Sequence, residues 1–259
     1  MNIVHRIYTV YAVIVFLLLM LILFPFYFLI IQKKSWHKYS HTLNKIWAGS
    51  FFLICFMPVK TRFSSKLDKK KSYIYCSNHF SYFDIATMVF VPSDFKFTGK
   101  ASLTSAPVLG YIFRKLHITV DRFSAEGRRS ALEQYYKTLD EGKSLVIFPE
   151  GGIYAEKPPQ MGEFKHGAFT AAITKKTPIV PVTIPYNWII LPDNGKLLIR
   201  RRAVRAIFHE PIETAHLTMD DLDNLKTRVY KIIQNELNKH NYHENRQGDL
   251  KKDRTLSQA

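Results

Sequence analysis

The feature that most constrains this chain is a run without one charged residue from Ile7 to Ile31, IYTVYAVIVFLLLMLILFPFYFLII. As a helix rising ~1.5 Å per residue it spans roughly 37 Å, enough for a ~30 Å hydrocarbon core. A cleaved signal peptide has an apolar region of about 7–15 residues followed by a small-residue cleavage site. This run is longer and leads into Ile30-Ile31-Gln32-Lys33-Lys34, so it is expected to stay as a membrane anchor. Pro25 is a point at which the segment can kink or end. Tyr8, Tyr11 and Tyr27 suit interfacial depths.

A second apolar stretch, Ile46 to Val59, is about 21 Å long as a helix and too short to cross unaided. It is expected to be interfacial or re-entrant, with a buried amphipathic helix as the alternative. The two segments together also suit a helical hairpin lying in one leaflet. Before the span sit only His5 and Arg6; Lys33, Lys34, Lys38 and Lys45 follow it. The positive-inside rule therefore places the rest of the chain on the cytoplasmic face of an inner membrane.

The basic character continues. Between Lys33 and Tyr75 there are ten Lys/Arg residues against one acid, Asp68, and the 259-residue chain carries a net charge of +16. Such a stretch attracts acidic lipid headgroups or nucleic acid, or forms a solvated face. The apolar neighbour favours an anionic membrane surface as partner, and nucleic acid is not expected. Cys55 and Cys76 lie among apolar residues and read as small core side chains. The ten histidines are scattered and no Cys/His spacing matches a metal site. No metal, no cofactor and no disulfide framework are expected.

After Lys69-Lys70-Lys71 strand and helix patterns alternate. Strands are expected at 72–77, 95–98, 118–120, 144–148 and 179–184, with a hairpin of 196–199 and 204–208. Helices are expected at 85–91, 108–115, 125–141, 166–175 and 219–237. The last has apolar positions Leu222, Leu225, Val229, Ile232, Ile233 and Leu237 on one face. The alternation implies an α/β fold, a mixed central sheet flanked by helices. The expected organisation is an anchoring segment with a basic linker (1–71), the α/β domain (72–240) and a disordered polar tail (241–259).

The residues with the most chemical content are Asn78-His79-Phe80-Ser81-Tyr82-Phe83-Asp84, where a buried strand gives way to a helix. His79 and Asp84 would diverge on a continuous helix and can meet only across a turn. A carboxylate beside imidazole fixes its tautomer and steadies the imidazolium. Ser81-x-x-Asp84 ahead of an apolar run is equally a helix-capping box, and spacing supports both. For Arg122 the alternatives are an anion site and a surface ion pair with Asp121 or Glu126. Pro149-Glu150-Gly151-Gly152 reads locally as a turn closing a strand.

Asn78-His79-x4-Asp84, Val120-Asp121-Arg122, Phe148-Pro149-Glu150-Gly151 and Val180-Pro181-Val182, in that order, resemble the glycerolipid acyltransferase family, and within it the PlsC-type 1-acyl-sn-glycerol-3-phosphate acyltransferases. Lys100, Pro107, Gly110, Lys165, His166 and Gly167 also stand at familiar positions, so that the resemblance covers about residues 72–212. It implies an enzyme of phospholipid synthesis that moves a fatty acyl group from acyl carrier protein or coenzyme A onto a lysophospholipid. By the resemblance His79 is the general base and Asp84 its orienting partner. Arg122 binds the acceptor's phosphate, Glu150 and Gly151 shape the acceptor site, and Val180-Pro181 border the pocket. Lys100 or backbone N–H groups of the turn would receive the carbonyl's negative charge. No Ser or Cys lies in a nucleophile-elbow pattern, so no acyl-enzyme is required.

The third motif departs from the family's usual Gly-Thr-Arg-Ser: this chain has Gly151-Gly152-Ile153-Tyr154. The cation expected at 153 is missing, and Lys157 or Lys165 are candidates to replace it. Another lyso-lipid acceptor, such as a lyso-aminolipid, is one alternative; a membrane-anchored lipid-binding protein without turnover is another.

Overall fold

The computed structural model describes residues 3–100 and 107–256. Seven strands, β1 (Val59–Phe63), β2 (Ile74–Ser77), β3 (Phe95–Lys100), β4 (Ile118–Val120), β5 (Ser144–Ile147), β6 (Ile179–Thr183) and β7 (Val204–Phe208), form one sheet in the order β1-β7-β6-β2-β5-β3-β4. All neighbours are parallel except β6 and β7. The helices are α1 (Ile3–Gln32), α2 (Ser40–Ile54), α3 (Phe83–Met88), α4 (Pro107–Leu116), α5 (Ala125–Asp140), α6 (Gly167–Thr174), α7 (Asn187–Ile190) and α8 (Leu222–Leu256).

A parallel sheet must be covered on both faces, and period-two alternation divides its residues between two cores. Tyr75, Val146, Val180 and Val182 face the side where α2 and α3 pack; Ile74, Cys76, Leu145 and Ile147 face α5, α6 and α8. Because β2, β3, β4, β5 and β6 run parallel, the ends of these strands open on one edge. That edge receives Lys100 at the end of β3 and the segments after the other four strands: 78–84, 121–122, 148–152 and 184.

The expected hairpin of 196–199 with 204–208 does not form. The Ile199 N–H donates to Thr9 Oγ1 (2.9 Å) and the Arg200 N–H to the Ile190 carbonyl (2.8 Å), so α1 and α7 take up this backbone. β7 is instead flanked by β1 and β6. The sheet begins at β1, within residues assigned to the basic linker; four of its five residues are exposed, which hides an edge strand from any apolar pattern. α8 continues past His240 to Leu256, across residues expected to form the polar tail, and 257–259 lie outside the described residues.

α1 passes through Pro25 without ending and turns through a short 3₁₀ segment, Lys34–Tyr39, into α2. Tyr8 and Tyr11 hydroxyls donate to the Cys55 and Ile54 carbonyls (2.6 and 2.8 Å), closing the C-terminal end of α2. Tyr27, expected at an interfacial depth, is buried and donates to Asn44 Oδ1 (2.6 Å) inside the hairpin. α2 is a helix packed on the domain: Phe51 and Phe52 are buried and meet Phe83 of α3 edge-on. The α1–α2 hairpin and the site-bearing turn share one core.

Candidate active site

The site is built on the turn after β2. His79 Nδ1 donates to Asp84 Oδ2 (3.0 Å), which also accepts the Phe80 and Ser81 N–H groups (2.7 and 2.8 Å). One oxygen thus does both jobs that the spacing allowed. It closes the turn into α3 and orients the imidazole. The reciprocal half of a capping box is shifted by one residue: Ser81 Oγ donates to the Leu191 carbonyl (2.8 Å) and accepts the Phe83 N–H (3.2 Å), while the Asp84 N–H bonds the Ser81 carbonyl. Asp84 is fully buried, unlike an ordinary surface cap. An oxygen that accepts two backbone N–H groups holds the ring with its proton on Nδ1, leaving the Nε2 lone pair free. The imidazole stacks on Phe148, with centroids 4.0 Å apart.

A second buried carboxylate supports the first. Glu150 Oε1 accepts the His79 N–H and Oε2 the Gly162 N–H, both at 2.8 Å. Three successive N–H groups, those of residues 79, 80 and 81, therefore end on two carboxylates. Burial raises the Glu150 carboxyl from the usual 4.5 to about 7, against the lowering effect of its two backbone hydrogen bonds. Asn78 ties the same turn to the end of β6: Oδ1 accepts the Ile184 N–H (2.8 Å) and Nδ2 donates to its carbonyl (3.0 Å).

Three adjoining cavities meet here. The central one, about 250 Å³, is lined by His79, Lys100, Arg122, Phe148, Ile153 and Tyr154, with Asp193 at its rim. An apolar channel of about 530 Å³ between α1, α2, α3 and α4 shares Tyr82, Ile85, Phe97 and Phe113 with it. On the other side a cavity of about 720 Å³ shares Lys100, Arg122 and Tyr154 and adds Arg128, Arg129 and Lys165, with Glu150 the one acid on its wall among the described residues.

Of the residues singled out by sequence, His79, Lys100 and Arg122 line the central cavity. Lys100, Arg122, Glu150, Gly151 and Lys165 line the basic one. Asp121 does not pair with Arg122. Its carboxylate accepts from the Phe123 N–H and Ser124 Oγ and so shapes the start of α5. Among the described residues no carboxylate pairs with Arg122, whose partial burial lowers its pKa from the ordinary arginine value. A half-buried guanidinium without a counter-ion favours an anionic ligand. Lys165 Nζ lies 3.3 Å from Glu163 Oε2 at the surface. Lys157 lines none of these three cavities. Val180 and Pro181 do not border them either: both are buried within β6, and the contact between that strand and the site runs through Ile184 and Asn78. Sequence reading also missed Phe148 as the face on which His79 stacks; its place one residue before Pro149 was the available signal.

Comparison with known proteins places this α/β chain in the acyltransferase class. A family model described as Acyltransferase matches residues 58–185. The putative 1-acyl-sn-glycerol-3-phosphate acyltransferase acl-1 of Caenorhabditis elegans is 32% identical over 189 residues, 68% of each chain. The chloroplastic 1-acyl-sn-glycerol-3-phosphate acyltransferase BAT2 of Brassica napus is 29% identical over 217 residues, 82% of this chain and 62% of its own. The crystal structure of PlsC, the 1-acyl-sn-glycerophosphate acyltransferase of Thermotoga maritima, superposes with a TM-score of 0.76 over 92% of this chain and 96% of that one, at 20% identity, a likeness of fold. The chain belongs to the 1-acyl-sn-glycerol-3-phosphate acyltransferase family. It spans 52% to 62% of the length of the plant and algal relatives it matches.

The raised Glu150 carboxyl has a pH signature. A group whose folded pKa lies above its unfolded value stabilises fully below the unfolded value, and that contribution is lost as pH rises through the folded one. Thermal unfolding of the native chain and of Glu150→Gln, which carries no titration, should therefore differ most below about pH 4.5, with the gap narrowing toward about pH 7. The carboxamide also sets an N–H₂ against a backbone N–H, so the variant should be less stable at low pH by about 1–3 kcal/mol. A gap constant across this window contradicts the assignment.

Proposed function

We propose that the protein transfers a fatty acyl group from an acyl thioester, of acyl carrier protein or coenzyme A, to the 2-hydroxyl of 1-acyl-sn-glycerol 3-phosphate, giving phosphatidic acid. The observation that carries this reading is the position of the His79 imidazole, steered by Asp84, where an apolar channel meets a basic cavity. An acyl chain matches the first and a phosphate the second.

The proposed chemistry uses this geometry. His79 Nε2 takes the proton of the acceptor's 2-hydroxyl as that oxygen attacks the thioester carbonyl carbon and forms the new C–O bond. Negative charge gathers on the carbonyl oxygen. The turn N–H groups of residues 79–81 are already bonded to carboxylates, so Lys100 is the donor that receives it. The intermediate collapses, the C–S bond breaks, and the imidazolium returns its proton to the departing thiolate. Asp84 holds the ring and stabilises its charged form throughout. Arg122, with Lys165 at the outer wall, binds the phosphate; Glu150 and Gly151 shape the acceptor side.

The reading also includes a place for the protein. α1 is long and apolar enough to cross a membrane. Its two ends, however, both rest on the domain: Thr9 bonds Ile199, and Phe28 stacks on Tyr111 of α4 some nineteen residues, or ~28 Å, further on. This supports a hairpin embedded in one leaflet of the inner membrane, with Ile7, Leu17, Leu18, Leu21 and Ile22 exposed to lipid and the domain on the cytoplasmic face. Ile153 on the wall of the central cavity favours a second reading, a lyso-lipid acceptor without a phosphomonoester, such as a lyso-aminolipid.

His79→Ala should lower turnover about 10²–10⁴-fold in thioester-dependent acylation of a lyso-lipid panel. Asp84→Asn should lose turnover as well, whereas Ser81→Ala should lose mainly thermal stability. Normal turnover in His79→Ala removes the assigned base, and a panel dominated by phosphate-free acceptors selects the second reading. For the hairpin, cysteines placed at residues 2 and 34 should both react with an impermeant thiol reagent from the cytoplasmic side; labelling from opposite sides would mean a crossing helix.

A further inference from the structure

The departures of the third motif, Gly152, Ile153 and Tyr154, form one construction. The Arg122 Nη1 atom lies 3.9 Å from the point a Cβ on Gly151 would occupy, and Gly151 has a φ of +83°, where a side chain is strained. Next to it, Cε2 and Cζ of Tyr154 lie 2.6 Å from the Cβ point of Gly152, and the phenol oxygen 3.0 Å from it. A β-carbon at 152 would press against the ring at 2.6 Å, so a residue larger than glycine there forces the ring to shift. The guanidinium of Arg122 and the phenol of Tyr154 thus rest on two consecutive glycines, and both side chains line the central and the basic cavities. Among the described residues nothing takes up the Tyr154 hydroxyl.

We propose that Tyr154 is a specificity-determining residue that recognises the acceptor's phosphate. Its hydroxyl donates to a phosphomonoester oxygen while Arg122 binds the others, over a floor made by the Gly151-Gly152 backbone. The inference rests on the acyl-acceptor reading above and deepens it, because it assigns the acceptor a phosphomonoester although position 153 carries no cation. Arg122 supplies charge and a planar fork. The phenol supplies a directional neutral donor on a stiff side chain. Gly152 acts only through Tyr154, as a positioning residue.

The test uses the full chain in phospholipid nanodiscs, titrated with 1-acylglycerol 3-phosphate and with 1-acylglycerol of the same chain length. Tyr154→Phe keeps the ring and removes only the hydroxyl. It should bind the phosphate-bearing ligand about ten-fold more weakly, the effect of one hydrogen bond to a charged group, and bind the phosphate-free ligand as the native chain does. Gly152→Ala should show the same selective loss by displacing the ring, and the double variant should be no weaker than either single one. In steady-state acylation the loss should fall on KM for the acceptor, with kcat and the donor's KM unchanged.

Native affinity of Tyr154→Phe for the phosphate-bearing ligand overturns the proposal. Equal losses for both ligands also overturn it, since the hydroxyl would then act on the glycerol or acyl part. A native chain that does not prefer the phosphate-bearing ligand does so too. If the phosphate-selective loss appears but no acyl group is transferred, the seat stands and the catalytic reading fails.

Discussion

The site depends on one oxygen, Asp84 Oδ2, and the three donors that converge on it. Two are backbone N–H groups and one is the imidazole of His79. Removing the carboxylate would release the ring and unpair the buried turn at once, and an unpaired buried donor costs about 1–3 kcal/mol. Folding of the β2–α3 junction and orientation of the His79 imidazole are therefore the same interaction. It leaves Nε2 as the nitrogen available to the cavity.

This turn is braced from three sides by groups distant in sequence. Glu150, just after β5, holds the His79 N–H; Asn78 locks onto Ile184 after β6; Phe83 packs against Phe51 and Phe52 of the α1–α2 hairpin. The parallel run of β2, β5 and β6 brings those partners to one edge. The α1–α2 hairpin supplies a wall of the apolar channel, so on the proposed reading the acyl group would reach the His79 imidazole along that wall.

Much of this is legible in the sequence, for physical reasons that differ between elements. The strands at 118–120, 144–148 and 179–184 are short buried apolar runs with turn residues on either side, and the structure places strands there. The His–carboxylate pair is legible because a five-residue offset at a strand end demands a turn. β1 is not, since an edge strand with four exposed residues has no apolar pattern, and it draws its register from β7 about 140 positions away. The hairpin of 196–199 fails because the Thr9 hydroxyl, 190 residues earlier, takes its backbone. Arg122's freedom from Asp121 and the seating of Tyr154 on Gly152 are likewise contacts that no local spacing reports.

The proposed reaction requires acyl chain, thioester carbon and acceptor hydroxyl to meet at His79 Nε2. A structure of the full chain with a non-hydrolysable acyl thioester analogue tests it most directly. The analogue's acyl chain should lie in the channel between α1, α2, α3 and α4, with the carbonyl carbon against the cavity lined by His79 and its oxygen toward Lys100. An analogue whose chain lies outside that channel, or whose carbonyl is walled off from His79, would contradict it.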